Sequence, residues 1–144
     1  MPNRPPCACG FVLRESEGVL DLITEEEAAA VHPFLEAYER VRSSEDWGGD
    51  DLDLPFHAKR HRNIWNVRRG TFRAFSSFAE NLPRELAVDI GAGNCWMTRY
   101  LDSWGFGAIA VDINTSRTDG LRAGQKYMGA ALLERSKNLV TSVI

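Results

Sequence analysis

The sequence predicts an α/β fold, an incomplete parallel sheet preceded by a cap of helices, and three observations carry that prediction. Leu86–Ile90 is a short apolar run with one carboxylate, Asp89, and it halts at a turn holding Gly91 and Gly93. Such a run suits a buried parallel strand. Behind the turn, Met97, Tyr100, Leu101 and Trp104 recur at three- and four-residue spacing, so one helical face can pack on the sheet, with Gly105 as its stop. A second apolar run, 108–111, follows Gly107 and ends in Asp112, nineteen residues past Gly93. The order is therefore strand, glycine turn, helix, strand. Three segments result: an irregular or hairpin N-terminus with a degenerate cysteine knuckle over 1–23, a helical cap and linker over 24–83, and the strand–turn–helix–strand unit in 84–144.

The turn has the chemistry of a nucleoside site. Glycine lets a ligand approach the backbone where a Cβ would intrude, and it tolerates positive φ. The free N–H groups that open the next helix face the same spot. An acidic side chain at the tip of the second strand can accept both hydroxyls of a ribose. The dinucleotide pattern GxGxxG requires a small residue at position 96, and the chain has Trp96, which argues against NAD or FAD.

Residues 89–95, DIGAGNC, resemble instead the (D/E)xGxGxG motif of class I S-adenosylmethionine (SAM) dependent methyltransferases, in particular the type 11-like group, with Cys95 in place of the third glycine. The resemblance implies a Rossmann-like fold, SAM as cofactor and a site comprising Asp89, Gly91, Ala92, Gly93, Asn94, Asp112, Ile113 and Asn114. In that scheme Asp89 addresses the amino group of the ligand, directly or through water. The backbone from Gly91 to Gly93 lies against its carboxylate and ribose, and Asp112 takes the ribose hydroxyls. No catalytic residue is identified, because a sulfonium leaving group makes alignment of the acceptor the main requirement. The simpler alternative is a doubly wound domain whose glycines only shape a turn and whose Asp112 only caps a loop.

Bulk properties narrow the setting. A chain of 144 residues with 44% hydrophobic content is about one domain with a real core. Its net charge of −3 supplies no global basic field to recruit nucleic acid. No apolar run approaches the roughly 20 residues of a membrane span and no signal peptide is evident, so a soluble cytoplasmic protein is expected. Cys7, Cys9 and Cys95 make no disulfide framework.

Within 1–23, Cys7, Cys9 and Gly10 resemble a worn half of the CxxCG zinc ribbon that opens many bacterial methyltransferases of this type, followed by a strand over 18–23. The spacing is CxC and no second cysteine pair follows, so a hairpin with free thiols and no metal is expected. His32, His57 and His61 read as surface histidines. Thr24 and Glu27 form a capping box that starts a helix, and Pro33 is expected to end or kink it. Beyond the proline, Phe34, Tyr38 and Val41 share one helical face. Residues 21–53 carry eleven carboxylates against Arg40 and Arg42, a solvated acidic face with no calcium-loop spacing.

Residues 43–55 read as a linker or lid around Trp47, a residue that either closes over a ligand or pins the loop to the body. The charge then reverses: 57–73 holds Lys59, Arg60, Arg62, Arg68, Arg69 and Arg73 with no acid. Pairing with the acidic segment is the first expectation, and an anionic ligand or RNA the alternative, with Trp65 and Phe72 available for stacking. A helix over 63–78 should present Ile64, Val67, Phe72, Phe75 and Phe78 on one broad side. In the methyltransferases a helix here covers the cofactor cleft.

After Asp112, a helix over 121–135 is weakened by Gly124 and Gly129, and 139–144 reads as a third strand or a tail. The resemblance implies a seven-stranded sheet in the order 3-2-1-4-5-7-6, of which this chain supplies strands 1 and 2, and strand 3 if 139–144 is one. Strand 1 should then present an unpaired apolar edge. The expectation is a fragment, a truncated product, or half of an assembly in which another copy or a partner chain covers that edge. Three functions are compatible with these features: a methyltransferase of unknown acceptor, a non-catalytic interaction module, or an anion or nucleic-acid binder using 57–73.

Overall fold

The computed structural model of the chain describes residues 8–48 and 53–127, and the backbone of 141–143. Cys7 and the expected strand residues 139, 140 and 144 lie outside the described residues, as does 128–135 of the expected C-terminal helix. The elements run β1 (Arg14–Ser16), β2 (Val19–Asp21), α1 (Glu25–Ser44), α2 (Arg62–Ala79), β3 (Leu86–Ile90), α3 (Thr98–Ser103), β4 (Gly107–Val111), a 3-10 helix (Leu121–Tyr127) and β5 (Thr141–Val143). They form a mixed α/β structure with one five-stranded sheet in the order β1-β2-β5-β4-β3.

β3, β4 and β5 are parallel, with Leu86 opposite Gly107 and Val111 opposite Ser142. The sheet departs from the all-parallel expectation because the N-terminal hairpin joins it: β1 and β2 are antiparallel, and β2 runs parallel to β5. The strand expected over 18–23 is realised as Val19–Asp21, an integral strand of the sheet. Glu17 and Gly18 make the hairpin turn with φ of 55° and 77°. Glu17 is tied to the far side by ion pairs with Arg117 and with Arg122, the latter at 3.0 Å.

The capping box forms as expected: Thr24 Oγ1 accepts from the Glu27 N–H, and Glu27 accepts from the Thr24 N–H at 2.8 Å. Of the two outcomes expected at Pro33, an end to the helix does not occur: α1 continues through it to Ser44. α1 buries no residue, and its stripe of Phe34, Tyr38 and Val41 is exposed at 62%, 37% and 54%. α2 matches its expected span to within one residue at each end, and its expected apolar side is buried in part, with Phe72 buried and Phe75 packed against the core. Trp65, Phe72 and Ala79 point inward, and Ile64, Val67 and Phe78 stay exposed. Ring contacts line this inward side. Trp65 meets Trp96 edge to face at 5.5 Å, and Phe72 lies against Tyr100 at 4.6 Å and Trp104 at 5.5 Å.

α3 begins later and is shorter than the spacing from Met97 to Trp104 suggests, because residues 94–97 are spent in turns. It ends at Gly105 with φ of 90°: the Phe106 N–H donates to Leu101 O at 3.1 Å and the Gly105 N–H to Asp102 O at 2.9 Å. That is the paired arrangement of a glycine C-cap, and its accompanying apolar contact is present, since Leu101 and Phe106 share a core cluster. That cluster adds Ala79 and Ala108, and a second cluster gathers Val19, Ala92, Cys95, Ala110 and Leu121.

β3 is an edge strand. Among the described residues its one neighbour is β4, and Leu86, Val88 and Ile90 are 67%, 50% and 79% exposed. The sequence expectation of an open apolar strand edge is met in the described structure, whereas the expected burial of this strand is not, because its outer side has no neighbour and none of its five residues is buried.

Candidate cofactor cleft

A cleft of about 650 Å³ opens where β3 ends, between the glycine turn and α2. Its floor is the backbone from Gly91 to Asn94, with Asp89 and Asp112 at either side, and its walls include Trp65, Arg68 and Trp96. The size falls within the usual range for small-molecule sites.

The turn is shaped by three left-handed residues at alternate positions. Gly91, Gly93 and Cys95 have φ of 74°, 52° and 61°. The first two positions are glycine, as the geometry demands, and the third is cysteine. A cysteine there is held in a conformation that disfavours a Cβ. Its side chain is buried between the turn and the 3-10 helix, where Gly124 makes room for it: a Cβ on Gly124 would stand 2.6 Å from Cys95 Sγ. Burial, together with the charges of Asp89 and Asp112, pushes the Cys95 thiol up to about 12. It is a packing group, not a nucleophile.

Asp112 fastens the turn to the tip of β4. Its Oδ2 accepts from the Gly93 N–H at 2.7 Å and its Oδ1 from the Asn114 N–H at 2.7 Å. Each carboxylate oxygen keeps a second lone pair, so the group can still accept hydroxyls from the cleft side. Asp89 is held by Thr98, whose hydroxyl donates to Oδ2 at 2.6 Å. Burial raises the Asp89 pKa, with the Thr98 hydrogen bonds working in the opposite direction.

Six of the eight residues read from the sequence, Asp89, Gly91, Ala92, Gly93, Asn94 and Asp112, line this one cleft. Ile113 and Asn114 do not. Ile113 packs on the core cluster of Val19 and Leu121. Asn114 is buried and organises its loop: its side-chain oxygen accepts from the Ser116 N–H at 2.9 Å, and its carbonyl accepts from the Leu121 N–H at 2.9 Å. Gly120 closes that loop so tightly that a Cβ would lie 2.4 Å from Asn114 O.

Sequence reasoning missed three contributors to the cleft: Tyr38, Arg42 and Asp119. Arg42 Nε donates to Asp119 Oδ2 at 2.5 Å, with both side chains largely buried, and this bond joins α1 to the loop after β4. The guanidinium also lies 3.8 Å from the Trp47 ring centroid, and His61 stacks on the Trp47 ring at 3.7 Å, nearly parallel. Trp47 therefore pins its loop. Arg68 faces the cleft beside Trp65, and desolvation and the charge of Arg42 lower its pKa. Of the pairing expected between the acidic and basic segments, the structure shows Arg60 with Asp46 at 2.7 Å.

Among the described residues no cluster of His, Cys, Asp and Glu could hold a metal, and no helix is long and apolar enough to cross a membrane. Comparison with known proteins finds no matching family model, no matching curated protein and no matching solved structure.

Proposed function

We propose that the cleft binds S-adenosylmethionine and that the chain serves as the cofactor-binding half of a Rossmann-like methyltransferase. The methyl acceptor is unassigned, and further strands from a partner chain or a second copy would complete the sheet at β3. The observation that carries this reading is the convergence of Asp89, the Gly91–Gly93 turn and Asp112 on one cleft. The strand order β5-β4-β3 supports it, because it corresponds to the 3-2-1 half of the family's sheet. In this reading the free lone pairs of Asp112 accept the ribose hydroxyls. Asp89 takes the amino group, and the cationic ligand sits among three carboxylates, with Asp119 already neutralised by Arg42. SAM has no pyrophosphate, which suits a turn whose Gly93 N–H is already given to Asp112.

Titration calorimetry with S-adenosylhomocysteine, with NAD as control, tests it. Saturable binding to the first alone is expected. Asp112→Ala should cost about 1.5–3 kcal/mol of that affinity, the scale of a hydrogen bond to a charged group. A folded protein that binds neither ligand, or an affinity untouched by Asp112→Ala, refutes the assignment.

The exposed Leu86, Val88 and Ile90 favour one second reading, an interaction module that uses the β3 edge without catalysis. In that case the edge binds a partner and the cleft stays empty at millimolar ligand.

A further inference from the structure

We infer that a second cavity, beside the start of α2 and sharing the Trp65 wall with the larger cleft, is a binding site for a small phosphate monoester carrying an aromatic or apolar body. The cavity measures about 320 Å³ and lies between the segment 55–59 and the first turns of α2. Its polar lining is His57, Lys59, Arg62 and Asn66, and its apolar lining includes Phe56 and the buried Trp65. Among the described residues no carboxylate lines it.

The structure sorts the basic run of the sequence instead of leaving it as a uniform solvated face. Arg60 turns away to pair with Asp46, and Arg68 faces the cofactor cleft. His57, Lys59 and Arg62 are the members that meet around one concavity, with the amide of Asn66 beside them. An arginine fork and an ammonium placed together suit the several oxygens and double charge of a phosphate better than a single carboxylate. The first turn of α2 contains no acid, and its N-cap His61 supplies no side-chain hydrogen bond, so the local field adds to that of the side chains. The aromatic lining gives the remainder of the ligand an apolar surface. A long polyanion is a poorer match. Arg73 continues the basic run eleven residues beyond Arg62, about 16 Å along the helix, and does not line the cavity.

The test is a titration of isotope-labelled protein with phenyl phosphate, followed through the backbone amides and the indole N–H signals. Saturable shifts confined to residues 56–66 and the Trp65 indole are expected. Arg62→Gln should weaken binding about tenfold, as loss of one charge-assisted hydrogen bond does, and Arg73→Gln should change it less than twofold. Lys59→Gln repeats the measurement if Arg62→Gln perturbs the fold, which the same spectra reveal. Absence of saturable shifts overturns the assignment, as does equal weakening by Arg62→Gln and Arg73→Gln. So does a single-stranded oligonucleotide that binds more tightly than phenyl phosphate and shifts signals along α2 through Arg73. The result is independent of whether the larger cleft binds S-adenosylhomocysteine.

Discussion

The contact between Cys95 and Gly124 makes a quantitative test of how the cleft floor is built. Both residues are buried, and a methyl group on Gly124 would stand 2.6 Å from Cys95 Sγ and 2.7 Å from its Cβ. Gly124→Ala alone therefore overpacks the interior, at about 1–3 kcal/mol. Cys95→Gly has two opposed effects. It releases a Cβ from left-handed backbone, a gain of roughly 1–2 kcal/mol, and it empties a small buried volume, a loss of about the same size. Its net effect should be within about 1 kcal/mol of zero. In the double variant the new methyl group occupies the space the thiol has left, and its nearest remaining neighbour is Asn94 O at 3.4 Å. The two substitutions should therefore show a favourable coupling of about 1–3 kcal/mol. Equilibrium urea unfolding of the four proteins measures it as a recovery of roughly 1 M in midpoint between Gly124→Ala and the double variant. Additivity to within about 0.5 kcal/mol would refute the packing argument. On the proposed reading, in which the Gly91–Asn94 backbone meets the ligand, Cys95→Gly should also leave S-adenosylhomocysteine affinity within about twofold.

Three further outcomes are expected at the same site. Asp89 has its pKa raised by burial, so the ionised group opposes folding: its contribution is favourable below the unfolded value of 3.8 and is lost as pH rises through the higher folded value. Asp89→Asn should accordingly gain stability relative to the native protein between about pH 3.5 and about pH 7, read from unfolding midpoints at each pH, and a difference independent of pH would contradict the burial argument. Cys95, with its thiol at about 12, should resist iodoacetamide at about pH 8 until the chain unfolds, whereas exposed Cys9 reacts at once; peptide mass mapping separates the two. Gly120→Ala should cost about 3 kcal/mol, since the methyl group meets backbone atoms at 2.4 Å that have nowhere to move, and thermal unfolding within about 1 °C of the native protein would show otherwise.

The features legible in the sequence are mostly local. The capping box at Thr24, the stop at Gly105, and the run from Asp89 through the turn to Asp112 each depend on residues close in the chain or on one strand–helix–strand unit. The hidden features depend on partners far apart. Arg42 gives no sign of its bond to Asp119, because the two are 77 positions apart and each looks like an ordinary surface charge. Asn114 reads as part of the ligand turn because it follows Asp112; its carbonyl and side chain are instead consumed by the loop up to Leu121. On α2 the apolar spacing finds Phe72 and Phe75 but wrongly adds Ile64, Val67 and Phe78, because it leaves out Trp65, whose edge-to-face partner Trp96 lies on a distant segment. Pro33 does not end α1, and because that helix buries no residue a distorted turn there displaces no core packing.

The position of β5 between β2 and β4 has a kinetic consequence. Val19 pairs with Thr141, so the middle of the sheet joins segments from opposite ends of the numbered chain. The β3–α3–β4 unit can assemble from near neighbours within microseconds to milliseconds, but the hairpin can join it only after a loop of more than a hundred residues has closed. During synthesis, β1 and β2 must therefore wait until residue 143 has left the ribosome, and until then the β3–β4 pair is open at β4 as well as at β3. Amide exchange should reflect the same hierarchy, with the ladder between β3 and β4 protected earliest in refolding and the ladder between β2 and β5 last.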